Sequence, residues 1–153
     1  MNKFLKTIIL VVLVVIFLLI DFVLLMKYLD DSKYVIINNK KIRVEIVNTE
    51  ESRRLGLSGR DDLSSNSGML FLMDKVTIGN FWMKNMNFPL DIIWINDDTV
   101  VKVSPDLAPE GNNPENTYSS DSPINVVLEV NAGFAEEYDI KAGDKVEYKF
   151  NLE

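Results

Sequence analysis

From Ile8 to Ile20 every position is Ile, Leu, Val or Phe, and after Asp21 the apolar run resumes through Met26. These 19 positions hold one charge, close to the ~20 residues with which a helix crosses hydrocarbon. Seventeen are Leu, Ile, Val or Phe. Each favours insertion by roughly 0.3–0.6 kcal/mol at the bilayer centre, against about 2.5–3.5 kcal/mol for one central Asp. Asp21 stands toward one end of the run, where its cost is lower. The pattern predicts one transmembrane helix. Lys3 and Lys6 precede it, which keeps the N-terminus cytoplasmic and exports the remainder. A cleavable signal peptide needs small residues at its cleavage site, and Asp21 to Lys33 offers only Ser32. Residues 1–30 therefore read as a cytoplasmic stub and uncleaved anchor in the cell membrane, and residues 31–153 as an extracytoplasmic domain.

Beyond a polar join (Asp30, Asp31, Ser32, Lys33) the pattern changes. Tyr34–Ile37 and Lys41–Val47 read as strands around the turn Asn38-Asn39-Lys40, with Ile42, Val44 and Ile46 on one face and Arg43 and Glu45 on the other. Thr49 is suited to cap a short helix with acids in its first turn, and Gly56 to end it. Further strands are predicted at Met69–Leu72, Gly79–Lys84, Asp91–Ile95 and Val100–Val103, the last two joined by a hairpin turn at Asn96-Asp97-Asp98-Thr99. Ser104–Pro123, rich in Pro, Asn and Ser, reads as a long loop, a binding lid or a disordered bulge, with Tyr118 as its contact residue. Ile124–Val130, with Ile124, Val126, Leu128 and Val130 on its buried face, is a strand. Ala132–Tyr138 is a short helix, and Lys145–Asn151 the closing strand. Many short strands with two short helices predict a mainly β fold, a small β-sandwich or a partly open β-barrel, behind the transmembrane helix.

Composition narrows the chemistry. Setting aside Lys3, Lys6, Lys27, Asp21 and Asp30 leaves 13 basic and 21 acidic residues, a net charge of −8 for the domain. Such a surface repels phosphate backbones, so no nucleic-acid partner is expected. There is no His and no Cys, which removes imidazole bases, thiol nucleophiles and nearly every zinc site. Asp97-Asp98 suits a turn, and no EF-hand spacing is present. Neither a metal nor a cofactor is expected.

Several segments recur in a familiar order: Glu51-Ser-Arg-Arg-Leu-Gly-Leu-Ser-Gly-Arg60, Gly68-Met-Leu-Phe71, Phe81-Trp-Met-Lys-Asn85 with Pro89-Leu-Asp-Ile-Ile93, and Val127-Leu-Glu129 with Ala132-Gly133 and Gly143-Asp144. Together they resemble the bacterial and archaeal family called domain of unknown function 192, over about Ile42 to Val146. The resemblance implies a small β-rich fold, often exported, with no established enzymatic activity. Met86 stands where the family commonly has Thr, and Ser58 where many members have Met.

Six residues are candidate ligand-binding groups: Arg60, Trp82, Lys84, Asn85, Asp91 and Glu129. A guanidinium offers a planar fork to carboxylate or phosphate; alternatively Arg60 clamps a carboxylate of the domain, and Arg54 pairs with Glu50 one helical turn away. An extended Phe81–Asn85 puts Phe81, Met83 and Asn85 on one face and Trp82 and Lys84 on the other. Trp82 is then either a stacking platform or half-buried core. Asp91 and Glu129 border apolar strands, where burial raises a carboxyl pKa. They either form a hydrolytic pair or are tied to Arg60, Lys84 or backbone amides. The expected function is a non-enzymatic binding or accessory module of the cell envelope, taking a glycan, peptide or protein partner. The alternatives are a carboxylate-dependent hydrolase of envelope glycans, with Asp91 and Glu129 as its pair, and a purely structural interaction domain.

Overall fold

The computed structural model describes residues 2–29 and 32–150. It divides into two compact units, Met1–Ser32 and Lys33–Glu153. The first is a single helix, α1 (Lys3–Leu29), whose 24 residues Lys3–Met26 are long and apolar enough to cross a membrane. The polar join at Asp30 and Asp31, and the end of the predicted closing strand at Asn151, lie outside the described residues.

The second unit is one curled sheet. β1 (Tyr34–Ile37) and β2 (Lys40–Val47) form a hairpin. Its two turn residues, Asn38 and Asn39, adopt φ of 50° and 62°, the left-handed pair that such tight hairpins require and that Asn tolerates. α2 (Glu50–Leu55) follows, capped as its sequence predicts. The Thr49 hydroxyl accepts from Ser52 N at 3.1 Å, and the Ser52 hydroxyl accepts from Thr49 N at 3.1 Å. β3 (Ser67–Phe81) runs parallel to β2 and antiparallel to β6 (Tyr118–Asn131). β4 (Leu90–Asn96) lies between β6 and β5 (Thr99–Leu107), the short α3 (Phe134–Glu137) follows β6, and β7 (Val146–Tyr148) pairs with β1. The sheet order is β5-β4-β6-β3-β2-β1-β7. Its two outer strands meet at one end, where Thr99 bridges Lys145 and Val146 N donates to Asp98 O at 2.8 Å. The fold is thus the partly open barrel of the sequence reading, a single half-barrel sheet with short helices.

Alternation places a hydrophobic core on each side of this sheet. Val35, Ile37, Ile42, Val44, Leu70, Ile93 and Leu128 fill the inside of the curl. Met69, Phe71, Ile92, Trp94 and Val127 point the other way, where Leu57, Met83 and Met86 cover them. Four expectations change. Met69–Leu72 and Gly79–Lys84 belong to one long strand, which ends at Phe81. The loop predicted over Ser104–Pro123 shrinks to residues 108–117, because β5 and β6 extend into it from both sides. The helix predicted over Ala132–Tyr138 is only Phe134–Glu137. β6 is buried on both faces, and the pairing irregularity near Leu72 and Thr77 turns Ile124 into the outer core, away from Val126, Leu128 and Val130.

Candidate functional site

Glu129 sits on β6, between β3 and β4, opposite Met69 on one neighbour and Ile92 on the other. Both of those residues belong to the outer core, so the Glu129 side chain enters an apolar layer. It is only 5% exposed. Among the described residues its carboxyl has no hydrogen-bond or ion-pair partner, yet no buried polar side-chain atom is fully enclosed and unsatisfied. The carboxyl therefore keeps contact with an open cleft of about 320 Å³, which it helps to line. Burial pushes its pKa up to about 8, and no neighbouring charge opposes that rise.

The cleft is walled by α2 and the end of β3. Phe71 and Phe81 form its aromatic wall, meeting edge to face at 5.0 Å between ring centres. Gly56 ends α2 at φ 52°, and a Cβ there would lie 3.5 Å from the Phe71 ring. Arg53 holds α2 against β3: its guanidinium donates to Asn48 O at 2.9 Å and Leu72 O at 2.8 Å, and pairs with Asp74 at 2.6 Å. Arg53, rather than Arg54, makes the helix's ion pair, and among the described residues none joins Arg54 to Glu50.

The six candidate residues separate into three places. Trp82 is 49% exposed and lines the mouth of the Glu129 cleft. The large buried indole is Trp94, whose Nε1 donates to the Ser104 hydroxyl at 2.9 Å. Trp82 also borders a second, adjoining depression with Lys84 and Asn85. Asn85 is exposed at φ 55°. Its backbone N donates to Gly111 O at 2.7 Å, and its carbonyl accepts from Gly59 N at 2.8 Å. The loop it holds is an ordered arch: Glu110 accepts from Asn116 N at 3.1 Å, Asn116 Nδ2 at 2.7 Å and the Tyr118 hydroxyl at 2.8 Å. Those bonds, chiefly from Asn116, hold Glu110 below the ordinary carboxylate range. Tyr118 is thereby engaged with the arch.

Arg60 lies elsewhere, in a polar depression shared with Arg43 and Asp62. It makes a two-pronged pair with Glu45, both bonds at 2.8 Å, and that bond depresses the Glu45 pKa. The clamped carboxylate that the sequence offered as the structural role of Arg60 is Glu45.

Asp91 is 0% exposed and accepts from three backbone amides: Asp106 N at 2.8 Å, Gly133 N at 3.2 Å and Ala135 N at 2.8 Å. It joins the end of β5 to the start of α3. Asp91 pairs across the sheet with Val130, an inner-core residue, whereas Glu129 pairs with Ile92 of the outer core. The two carboxyls point to opposite faces of the sheet and cannot flank one glycosidic bond.

Sequence reasoning did not bring Ser58, Phe71, Asn80, Phe81 and Met86 to the cleft. The strict alternation Gly68-Met69-Leu70-Phe71, read across to Val127-Leu128-Glu129, is the signal that would have set Phe71 beside Glu129's face. Among the described residues, no group of three or more acidic, His or Cys side chains converges to hold a metal.

A family model, DUF192 (Uncharacterized ACR), matches residues 33–148. A crystal structure of a protein of unknown function from Novosphingobium aromaticivorans is similar at a TM-score of 0.69 and 33% identity, covering 74% of this chain and 83% of that one. A second, of a candidate transcription regulator from Sinorhizobium meliloti, gives a TM-score of 0.69 at 28% identity, covering 76% of this chain and 92% of that one. No curated protein matches the chain.

Proposed function

This chain belongs to the DUF192 family of uncharacterised proteins, and from that premise we propose that it is a membrane-anchored, extracytoplasmic binding module of the cell envelope. Residues 1–30 form the anchor and residues 31–153 the exported domain. Its ligand is a small molecule or a protruding group of a larger one, and it enters the Glu129 cleft. One observation carries this reading. A carboxyl in an apolar layer, unpaired yet open to a cleft, costs the fold stability that a merely structural residue would not. The length and apolarity of α1 and the two lysines ahead of its apolar run support the anchor and its orientation.

A purely structural role for the cluster suits Asp91, whose amides saturate it, but leaves Glu129 unexplained. Glycan hydrolysis by the Asp91–Glu129 pair lacks a shared site. The description of the Sinorhizobium protein as a candidate regulator of transcription suggests nucleic acid, against which the net charge of −8 argues for this domain.

The test is a thermal-shift screen of the full chain in detergent micelles, against glycans, peptides, amines, small acids and divalent ions, with Glu129→Gln in parallel. A ligand at 100 times its Kd adds about 2.7 kcal/mol, or several degrees in a domain of this size. At least one compound should stabilise the wild type and act weakly on Glu129→Gln. Stabilisation that is identical in both, or absent from both, overturns the proposal.

A further inference from the structure

Three features meet at the floor of the cleft. Among the described residues the Glu129 carboxyl has no hydrogen-bond or ion-pair partner. None of the other charged residues on the lining acts on its titration: Arg53 is committed to Asp74 and two carbonyls, and Arg54 and Glu50 face solvent. The walls are aromatic, with Phe71 and Phe81 inside and Trp82 at the mouth. A carboxylate buried without a counter-charge costs several kcal/mol. Among the described residues no charge offsets it, so the empty cleft keeps the acid protonated, and the ionised form calls for a cation from outside. Aromatic faces attract cations through their quadrupoles, and a domain of net charge −8 draws positive solutes toward it.

We infer that the occupant of this cleft is an organic cation, an alkylammonium or quaternary ammonium group with a short apolar tail, its charge on Glu129 and its body against Phe71, Phe81 and Trp82. The inference rests on the reading of the cleft as a binding site. A volume of about 320 Å³ suits a ligand at the small end of the usual range. The proton balance is simple. The unliganded carboxyl holds its proton at neutral pH, the arriving cation stabilises the carboxylate, and the proton leaves to solvent. Binding therefore strengthens as pH rises toward the carboxyl's own midpoint.

Isothermal titration of the full chain in maltoside micelles, with empty micelles subtracted, tests this with butyltrimethylammonium, hexanoate and hexanamide as probes. Butyltrimethylammonium has no titrating group of its own, so any pH dependence belongs to the protein. Its affinity should rise about tenfold between pH 7 and pH 9, given a midpoint of about 8. Close to one proton should be released per ligand at pH 7, read from the dependence of the heat on buffer ionisation enthalpy. Glu129→Gln should lose about tenfold or more in affinity, together with the pH dependence, and Trp82→Ala a smaller factor. If Glu129→Gln does not fold, the pH slope and proton release of the wild type decide. If hexanamide or hexanoate binds in preference and weakens as pH rises, Glu129 is a hydrogen-bond donor. The cation inference then falls while the binding module stands. If no probe binds up to about 10 mM, weaker than about −2.7 kcal/mol, both fall.

Discussion

Asp91 and Glu129 lie on adjacent strands, one register step apart, and both are almost wholly buried. The chain treats them in opposite ways. Asp91 enters the inner side of the sheet and is met by three amides that the bend at Asp106 and the start of α3 direct at it. Glu129 enters the outer side and, among the described residues, is met by no donor. A carboxyl group saturated by backbone N–H groups is a structural joint. A bare one is held neutral by its surroundings and is available to whatever enters the cleft. Burial alone therefore does not separate a structural acid from a functional one. The separation lies in the donors around it.

The largest expected effect falls on the structural acid. Asp91→Ala leaves three amides without their acceptor, and chemical denaturation of the full chain should show a loss of about 3–5 kcal/mol. A loss under about 1 kcal/mol would mean that the joint is decorative. Glu129→Gln should act in the opposite sense and only at higher pH. The folded-state pKa lies above the unfolded value of 4.5, so between pH 4.5 and about 8 the folded protein keeps a proton that the unfolded chain has lost. Wild-type stability is then highest at or below pH 4.5 with respect to this group and falls by up to about 1.4 kcal/mol per pH unit until about pH 8. Gln carries no such cost. The variant should match wild type near pH 5 and exceed it by about 2–4 kcal/mol at pH 9, allowing for water that reaches the carboxyl through the cleft mouth.

Gly68→Ala sharpens the contrast through the backbone. A Cβ there would stand 2.7 Å from Glu129 O, displacing β6 where the bare acid is mounted, for a loss of about 1–3 kcal/mol. Thermal denaturation would check it, and ligand affinity should fall with it. Arg60→Ala should matter least. It breaks a pair whose side chains are 39% and 53% exposed, so denaturation should register no more than about 1 kcal/mol and ligand binding at Glu129 should not change.

Sequence carried the local elements and missed those that depend on distant partners. The Asn38-Asn39 turn, the Thr49 cap, the Gly56 stop and the Asp97-Asp98 hairpin are written in residues a few positions apart, and the structure has each of them. The continuity of β3 through Asp74 and Lys75 is not, because the strand pairs with β6 on either side of these charges, up to Leu72 and again from Thr77. Nor is the second core, which buries both faces of β6 and hides Ile124 and Val127 together. At the site, Glu129 was legible as an acid on an apolar strand, and Trp82 as an aromatic beside polar residues. That Glu129 lacks every partner while Asp91 has three is a property of spatial neighbours, and no pattern along the chain encodes it.

Glu129 itself can be followed by a carboxyl-carbon NMR titration of the full chain, with and without butyltrimethylammonium. Its midpoint should lie near 8 in the free protein and fall by about two or more pH units when the cation is bound. A free-protein midpoint in the ordinary glutamate range, near 4–5, would show that Glu129 already has its partners, and would contradict the claim that this cleft is built around an uncompensated acid.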